Sequence, residues 1–169
     1  MKSFFKISVS CFILIGILQA CQNNPHIIKS AFQKSLVQKH IKGIPYYLSL
    51  PVNYIIKEYN GPDFSVYYFY PRDAADKKSF RGGFYLGNSP GSSSRDYNNC
   101  KLGSISSNFL DDNKKWTVYN CDTIYSIQII TDSKSGYDWA RYIHAFGRAT
   151  SKIEVNKLLE VYSTLKIQN

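Results

Sequence analysis

The fold is decided at "YIIKEYNGPDFSVYYFY", Tyr54 to Tyr70. Asn60-Gly61-Pro62-Asp63 is a run of turn formers: glycine tolerates unusual dihedrals, proline fixes φ, and the flanking Asn and Asp hydrogen-bond their own backbone. On either side, Tyr54–Tyr59 and Phe64–Tyr70 are rich in aromatic and β-branched residues, which fit a pleated surface. The stretch therefore predicts a β-hairpin. In Phe64–Tyr70 both alternating faces are largely aromatic. A strand covered on both sides has that composition, and so does a surface that stacks sugars or peptides. Core packing is the commoner use of such residues, so a central strand is expected.

Outward from this hairpin the pattern repeats. Tyr46–Leu50 reads as a strand with Pro45 and Pro51 at its margins, and Phe80–Leu86 as another. Leu102–Phe109 and Trp116–Asn120 flank a turn at Asp111-Asp112-Asn113-Lys114, and Thr123–Thr131 follows as a strand. Tyr142–Phe146 reads as a last strand or the end of a short helix. The chain then changes period. Ser151-Lys152-Ile153-Glu154 has the form of a capping box, in which serine and glutamate each satisfy the other's orphan amide. Val155, Leu158, Leu159, Tyr162 and Leu165 recur at helical spacing. A helix over 152–165 is expected, packed on the sheet through that stripe.

Strands in succession followed by a helix define an α+β class: a mainly antiparallel sheet with a C-terminal helix packed on it, in a single domain over 44–169. The order of elements resembles the PsbP-like sandwich, most closely in "YYLSLPVNYIIKEYNGPDFSVYYFY" (46–70) and "LLEVYSTLKI" (158–167). That resemblance implies a small exported domain with a binding or assembly role. It brings no catalytic residue set.

The N-terminal stretch is of another kind. Lys2 and Lys6 precede an unbroken apolar or small run, Cys11–Leu18, as in an export signal. Ile7–Leu18 is too short to span a bilayer comfortably. Leu18 is too large for the −3 position of an ordinary cleavage site. Leu18-Gln19-Ala20-Cys21 instead resembles the bacterial lipobox, with Gln19 bulkier than usual at its position. The resemblance implies a lipoprotein signal at 1–20, removed before Cys21, whose thiol carries a diacylglyceryl group. Two or three acyl chains hold a protein stably, each buried CH₂ contributing about 0.8 kcal/mol. The alternative for Cys21 is a buried or bridged cysteine. Gln22, in place of the aspartate that retains enteric lipoproteins in the inner membrane, favours the outer membrane of a bacterial envelope. The expected orientation is periplasm-facing.

The formal charge of +9 suggests nucleic acid until its location is considered. Five lysines (Lys29, Lys34, Lys39, Lys42, Lys57) and no acid lie between Cys21 and Lys57. From Glu58 onward, 14 basic residues face 12 acidic ones. The body is almost neutral, which argues against nucleic-acid binding. Residues 21–43 read as a lipidated basic linker arm, helical in part over 26–41 and ended by Gly43. Its lysines, over 29–42, either meet anionic envelope lipids or simply keep the linker solvated.

Once Cys11 leaves with the signal and Cys21 is acylated, Cys100 and Cys121 remain as an even pair, expected to form a disulfide in an oxidising compartment. The alternative is two separate thiols. Chemistry is sparse elsewhere. His26 and His40 lie in the arm, and His144 alone lies in the body. No nucleophile elbow, zinc spacing, phosphate loop or dinucleotide fingerprint occurs, so no metal or cofactor is expected. The most site-like segment is "RGGFYLGNSPGSSSR", Arg81–Arg95: its glycines allow close backbone approach, and Arg81 and Arg95 suit an anionic group. The ligand-binding candidates are thus Arg81, Arg95 and His144, and no residue is assigned as catalytic. The expected function is a non-enzymatic, lipid-anchored envelope protein that binds another protein or an envelope component; an immunity-type protein is one such case. The rival is a small envelope hydrolase using His144 with an acid or a Ser/Cys partner.

Overall fold

The computed structural model describes residues 29–168 apart from 74, 77 and 92–96. Its main feature is a seven-stranded antiparallel sheet made of β3 (Tyr54–Asn60), β4 (Phe64–Pro71), β5 (Arg81–Gly87), β6 (Lys101–Phe109), β7 (Asp112–Cys121), β8 (Ile124–Asp132) and β9 (Tyr142–Ala149). The strand order is β3-β4-β5-β9-β8-β7-β6. β1 (Val37–His40), β2 (Tyr46–Leu50) and β10 (Lys166–Ile167) form a second, three-stranded antiparallel sheet in the order β1-β2-β10. Two helices complete the fold, α1 (Ala31–Lys34) and α2 (Lys152–Tyr162). This is the expected α+β class, with the C-terminal helix on the sheet.

One face of the large sheet is the floor of the core. Residues directly opposite one another on neighbouring strands share a face. Phe69, Gly82, Gly147 and Ile127 follow one another across β4, β5, β9 and β8, and Tyr67, Phe84, Ala145 and Ile129 make the next row. α2 lies against this inner face through Val155, Leu158, Leu159 and Tyr162, all buried. β2 adds Tyr46, Leu48 and Leu50, each with no exposed surface. Burying side chains of this size stabilises by about 1.5–3 kcal/mol each before entropy is counted.

The helix comes close because glycines admit it. Gly82 and Gly147 are register partners on the inner face. A Cβ on Gly82 would lie 2.5 Å from the Phe69 ring and 2.8 Å from the Tyr162 hydroxyl, and one on Gly147 would lie 2.6 Å from Leu158. Tyr162 is wholly buried, and its hydroxyl reaches the backbone between β5 and β9. It accepts from Gly83 N–H at 3.0 Å and lies 2.7 Å and 2.6 Å from the carbonyls of Gly83 and Phe146. Burial pushes this phenol far above its ordinary pKa, so it acts as a neutral hydroxyl.

Several local expectations change. Ser151 Oγ accepts from Glu154 N–H at 3.2 Å, as a capping box requires, but Glu154 turns its carboxylate to Lys157 at 2.7 Å. α2 ends at Tyr162 rather than 165, because the chain turns at Ser163–Thr164 and Lys166 pairs with Tyr47. The β6–β7 turn is tighter than expected. Leu110 and Asp111 take φ of 51° and 66°, and the strand resumes at Asp112. Two left-handed residues match the twist of the paired strands.

The linker arm is corrected in its C-terminal half. Its helix is only Ala31–Lys34, and Val37–His40 becomes β1, paired with β2. Phe32 meets Phe80 edge-to-face at 6.2 Å, Gln33 donates to Ser163 at 3.1 Å, and Ile41 is 2% exposed. These apolar residues bury more profitably against the body than a solvated helix allows, so the packed unit begins near Ser30, not at Ile44. The signal stretch and Cys21 lie outside the described residues. No helix among the described residues is long and apolar enough to cross a membrane.

Candidate functional site

The other face of the large sheet carries neither helix nor strand among the described residues, although it too is aromatic. Tyr59, Val66, Tyr85, His144 and Ile130 form one row across it, and Lys57, Tyr68, Gly83, Phe146 and Gln128 the next. The expectation that Phe64–Tyr70 is covered on both sides therefore holds for one side. Tyr67 and Phe69 are each 1% exposed, whereas Tyr68 on the opposite face is 38% exposed.

The exposed rings form a ridge. Tyr68 meets Tyr59 edge-to-face at 5.7 Å and Phe146 at 5.8 Å, and Phe146 meets the His144 ring at 5.4 Å. Such pairs contribute about 0.5–1.5 kcal/mol each and fix the rings in place. Lys57 Nζ sits 4.9 Å from the centre of the Tyr59 ring, and the Tyr59 hydroxyl holds its ammonium above the usual lysine range. A hollow lies on each side of Tyr68. One, of 320 Å³, lies towards Phe146, Gln128 and Tyr119; the other, of 660 Å³, lies towards Tyr59, Phe64 and Tyr70. Both reach Arg81.

The row at the end of the first hollow is polar. Tyr119, Ser126, Arg148 and Arg81 follow one another across β7, β8, β9 and β5. Arg81 and Arg148 are thus direct cross-strand partners, and both are exposed. Like charges in that position repel. Arg81 donates to the Asp76 carbonyl at 3.3 Å. The Asp76 carboxylate is held below its usual range by the Ser79 hydroxyl first, then by the Ser79 and Lys78 amides and by Arg81. Ser126 is 4% exposed and its Oγ has no hydrogen-bond partner among the described residues. Trp116 Nε1 and Asn120 Oδ1 are also buried without a partner, but neither lines the hollow.

The described parts of the connection between β5 and β6, residues 88–91 and 97–100, touch this face. Gly87 pairs with Tyr142 at one end of the sheet, whereas Lys101 pairs with Asn120 at the other. Both described ends of the connection rest on outer-face side chains: Ser89 N–H donates to the Tyr85 hydroxyl at 3.2 Å, and Tyr97 stacks on Tyr119 at 4.4 Å. Cys100 and Cys121 fasten the second end, with Sγ atoms 1.99 Å apart and Cα atoms 4.4 Å apart. The expected cysteine pair is therefore present.

Of the sequence candidates, Arg81 is in the hollow, and Arg95 lies outside the described residues. His144 stands at the end of the ridge, 7% exposed. Its Nε2 lies 3.1 Å from Gln128 Oε1, and Gln128 donates in turn to the Tyr119 hydroxyl at 3.1 Å. Nε2 then carries the proton, and burial alone lowers the imidazole pKa. The partner is a carboxamide, which orients the ring but accepts no proton. The double glycine "GG" is used from the inside, since Gly82 makes room for Tyr162. Sequence reasoning missed Arg148, Ser126 and Tyr119. The alternation Tyr142, His144, Phe146, Arg148 placed them on one face, but only the pairing of β9 with β5 brings Arg148 beside Arg81. Among the described residues no group of His, Cys, Asp or Glu is arranged to hold a metal.

No protein-family model matches the chain, and neither the curated proteins nor the solved structures yield a match.

Proposed function

We propose that this chain is a lipid-anchored bacterial envelope protein whose body is a binding module rather than an enzyme, and that the aromatic outer face of the large sheet is its binding surface. The observation that carries the reading is Tyr68: an aromatic ridge with a hollow on each side, left uncovered among the described residues on a sheet whose other face forms the core. Folding does not require that ridge to be aromatic. The PsbP-like resemblance, which implies binding or assembly, agrees with it.

The anchor rests on the lipobox-like Leu18-Gln19-Ala20-Cys21. With the body packed from Ser30, eight residues lie between it and Cys21. Such a tether reaches at most about 30 Å. The domain then stays near the membrane, where Lys29, Lys34 and Lys42 meet anionic head groups. Lys39 is engaged within the fold, donating to the Tyr54 carbonyl at 2.8 Å. The envelope position favoured by Gln22 is the periplasmic side of the outer membrane.

Two measurements test this. Mass spectrometry of the protein purified from a bacterial host is expected to show acyl chains on Cys21 and no residues 1–20; an unmodified Cys21 with the leader attached overturns the anchor. The unacylated chain from Gln22 onward is expected to co-sediment with protein-stripped envelope fragments, and Tyr68→Ala to reduce that binding. Equal sedimentation of both overturns the binding face.

A further inference from the structure

The two edges of the seven-stranded sheet are unlike. β3 carries Lys57 and Glu58 in its middle, both exposed, and charge there discourages edge-to-edge pairing. β6, at the other edge, has a single charge, Lys101, at its end. It has no proline and no bulge, and pairs with β7 in one unbroken register from Lys101 to Phe109. Phe109 and Asp112 close a two-residue turn, so they form a hydrogen-bonded pair, and such pairs alternate along the ladder. Phe109, Ser107, Ile105 and Gly103 therefore bond to β7. Leu102, Ser104, Ser106 and Asn108 turn their N–H and C=O groups outward, and no described strand lies beyond them. All four are exposed, Leu102 at 71%.

We propose that β6 is a self-association edge: it pairs antiparallel with β6 of a second copy of this chain, about a two-fold axis at Ile105. In that register Ser104 faces Ser106 of the second copy, Leu102 faces Asn108, and Ile105 faces its own counterpart. The outward groups meet in phase and form about eight backbone hydrogen bonds. No charge faces a like charge, since Lys101 lies opposite Phe109. The inner surfaces are complementary as well. Gly103 is exposed there, and a Cβ on it would meet nothing closer than the Val118 carbonyl at 4.0 Å, whereas Phe109 is buried beside Tyr162 of α2. The two-fold axis sets the open Gly103 end of each copy alongside the packed Phe109 end of the other. It also keeps both inner faces on one side of the joined sheet. Ser30 and Gln33 hydrogen-bond to Glu160 and Ser163 at the end of α2, so both arms leave on that side. The anchor proposed above then holds two copies in one membrane and raises their effective concentration. The pairing itself needs only the fold and is independent of the binding-face reading.

The test is sedimentation equilibrium of the purified full chain in detergent micelles, over a range of protein concentrations. A monomer–dimer equilibrium is expected. Ser106→Pro removes an outward N–H that β7 does not use, so the monomer keeps its ladder. It is expected to raise the dissociation constant of the dimer about tenfold or more. Ser104→Lys combined with Ser106→Lys changes two exposed side chains and sets lysines directly opposite one another, with the same expected result. Thermal unfolding of each variant shows that it is folded. Oxidation of an introduced thiol reads the register. Ile105→Cys is expected to form an interchain disulfide, because the two Cα atoms come within about 4.5 Å. Asn108→Cys, which faces Leu102 of the other copy, is expected to form none. A chain that stays monomeric throughout overturns the proposal. So does a dimer indifferent to Ser106→Pro, or one that cross-links through Asn108→Cys and not through Ile105→Cys. The co-sedimentation of Tyr68→Ala with envelope fragments decides separately whether the outer face binds.

Discussion

The two faces of the seven-stranded sheet are built from similar residues and put to different ends. On the inner face, Tyr67, Phe69 and Phe84 are buried, and Tyr162 fills the space left by Gly82 and Gly147 with its hydroxyl fully engaged. On the outer face, Tyr68 packs against Tyr59 and Phe146, Arg81 and Arg148 are register partners, and the Ser126 hydroxyl has no hydrogen-bond partner among the described residues. The inner face is at its most stable as it stands. The outer face keeps an exposed ring, Tyr68, between two hollows. Aromatic content alone therefore does not separate core from site; the separation comes from whether the polar atoms among the rings are already satisfied.

Tyr162→Ala against Tyr68→Ala is the strongest way to break this comparison. Removing the buried ring empties the centre of the core and strips a partner from the Gly83 amide. The expected loss is about 4 kcal/mol. Tyr68→Ala removes a half-exposed ring and is expected to lose no more than about 1 kcal/mol. Urea unfolding measures both. Equal losses mean that the outer ridge is a second core, and the binding-face reading fails with it.

The cysteine pair holds the edge of the outer face, where Tyr97 stacks on Tyr119. Replacing Cys100 and Cys121 by serine opens a loop with a sequence separation of 21. Chain entropy sets the expected loss at about 3 kcal/mol. Oxidised wild type and the double variant, compared by thermal unfolding, give the value. A loss near zero places the stabilisation in strand pairing between β6 and β7 instead.

His144 supplies a smaller effect that separates the faces by pH. Burial lowers its pKa in the folded state below the unfolded value. The unfolded chain then binds more protons in the window between the two values, so stability rises with pH there. Its contribution is complete above the ordinary histidine range near 6.5 and is lost as pH falls below it. Stability followed from pH 7.5 down to 5 is expected to fall, and His144→Gln to flatten that part of the slope. An unchanged slope assigns it to the carboxylates.

Much of this was legible in the sequence because it is local. The turn at Asn60–Asp63, the strand runs and the Ser151 cap each depend on neighbours a few residues apart. The cysteine pair was legible by arithmetic. The arm's packing is hidden behind its solvated-looking lysines, because Phe32 meets Phe80 and Lys157, which are distant in sequence. Arg81 was visible beside two glycines, but its meaning was not. The glycines serve the helix, and the arginine's neighbour is Arg148, 67 positions away. Ser126 carried no signal at all, since an unpaired hydroxyl is a property of the fold.

The smallest expected effect is the sharpest. Arg148 opposes Arg81 directly across β5 and β9, and like charges in that register repel. Arg148→Gln then raises the stability of the ligand-free protein, by about 0.2–1 kcal/mol, the usual cost of like charges directly across a sheet. The gain shrinks as salt is added, because exposed charges are screened. A residue kept for folding behaves in the opposite way, losing stability when it is neutralised. Unfolding curves at low and high salt distinguish the two cases: a loss of stability at low salt makes Arg148 a structural residue.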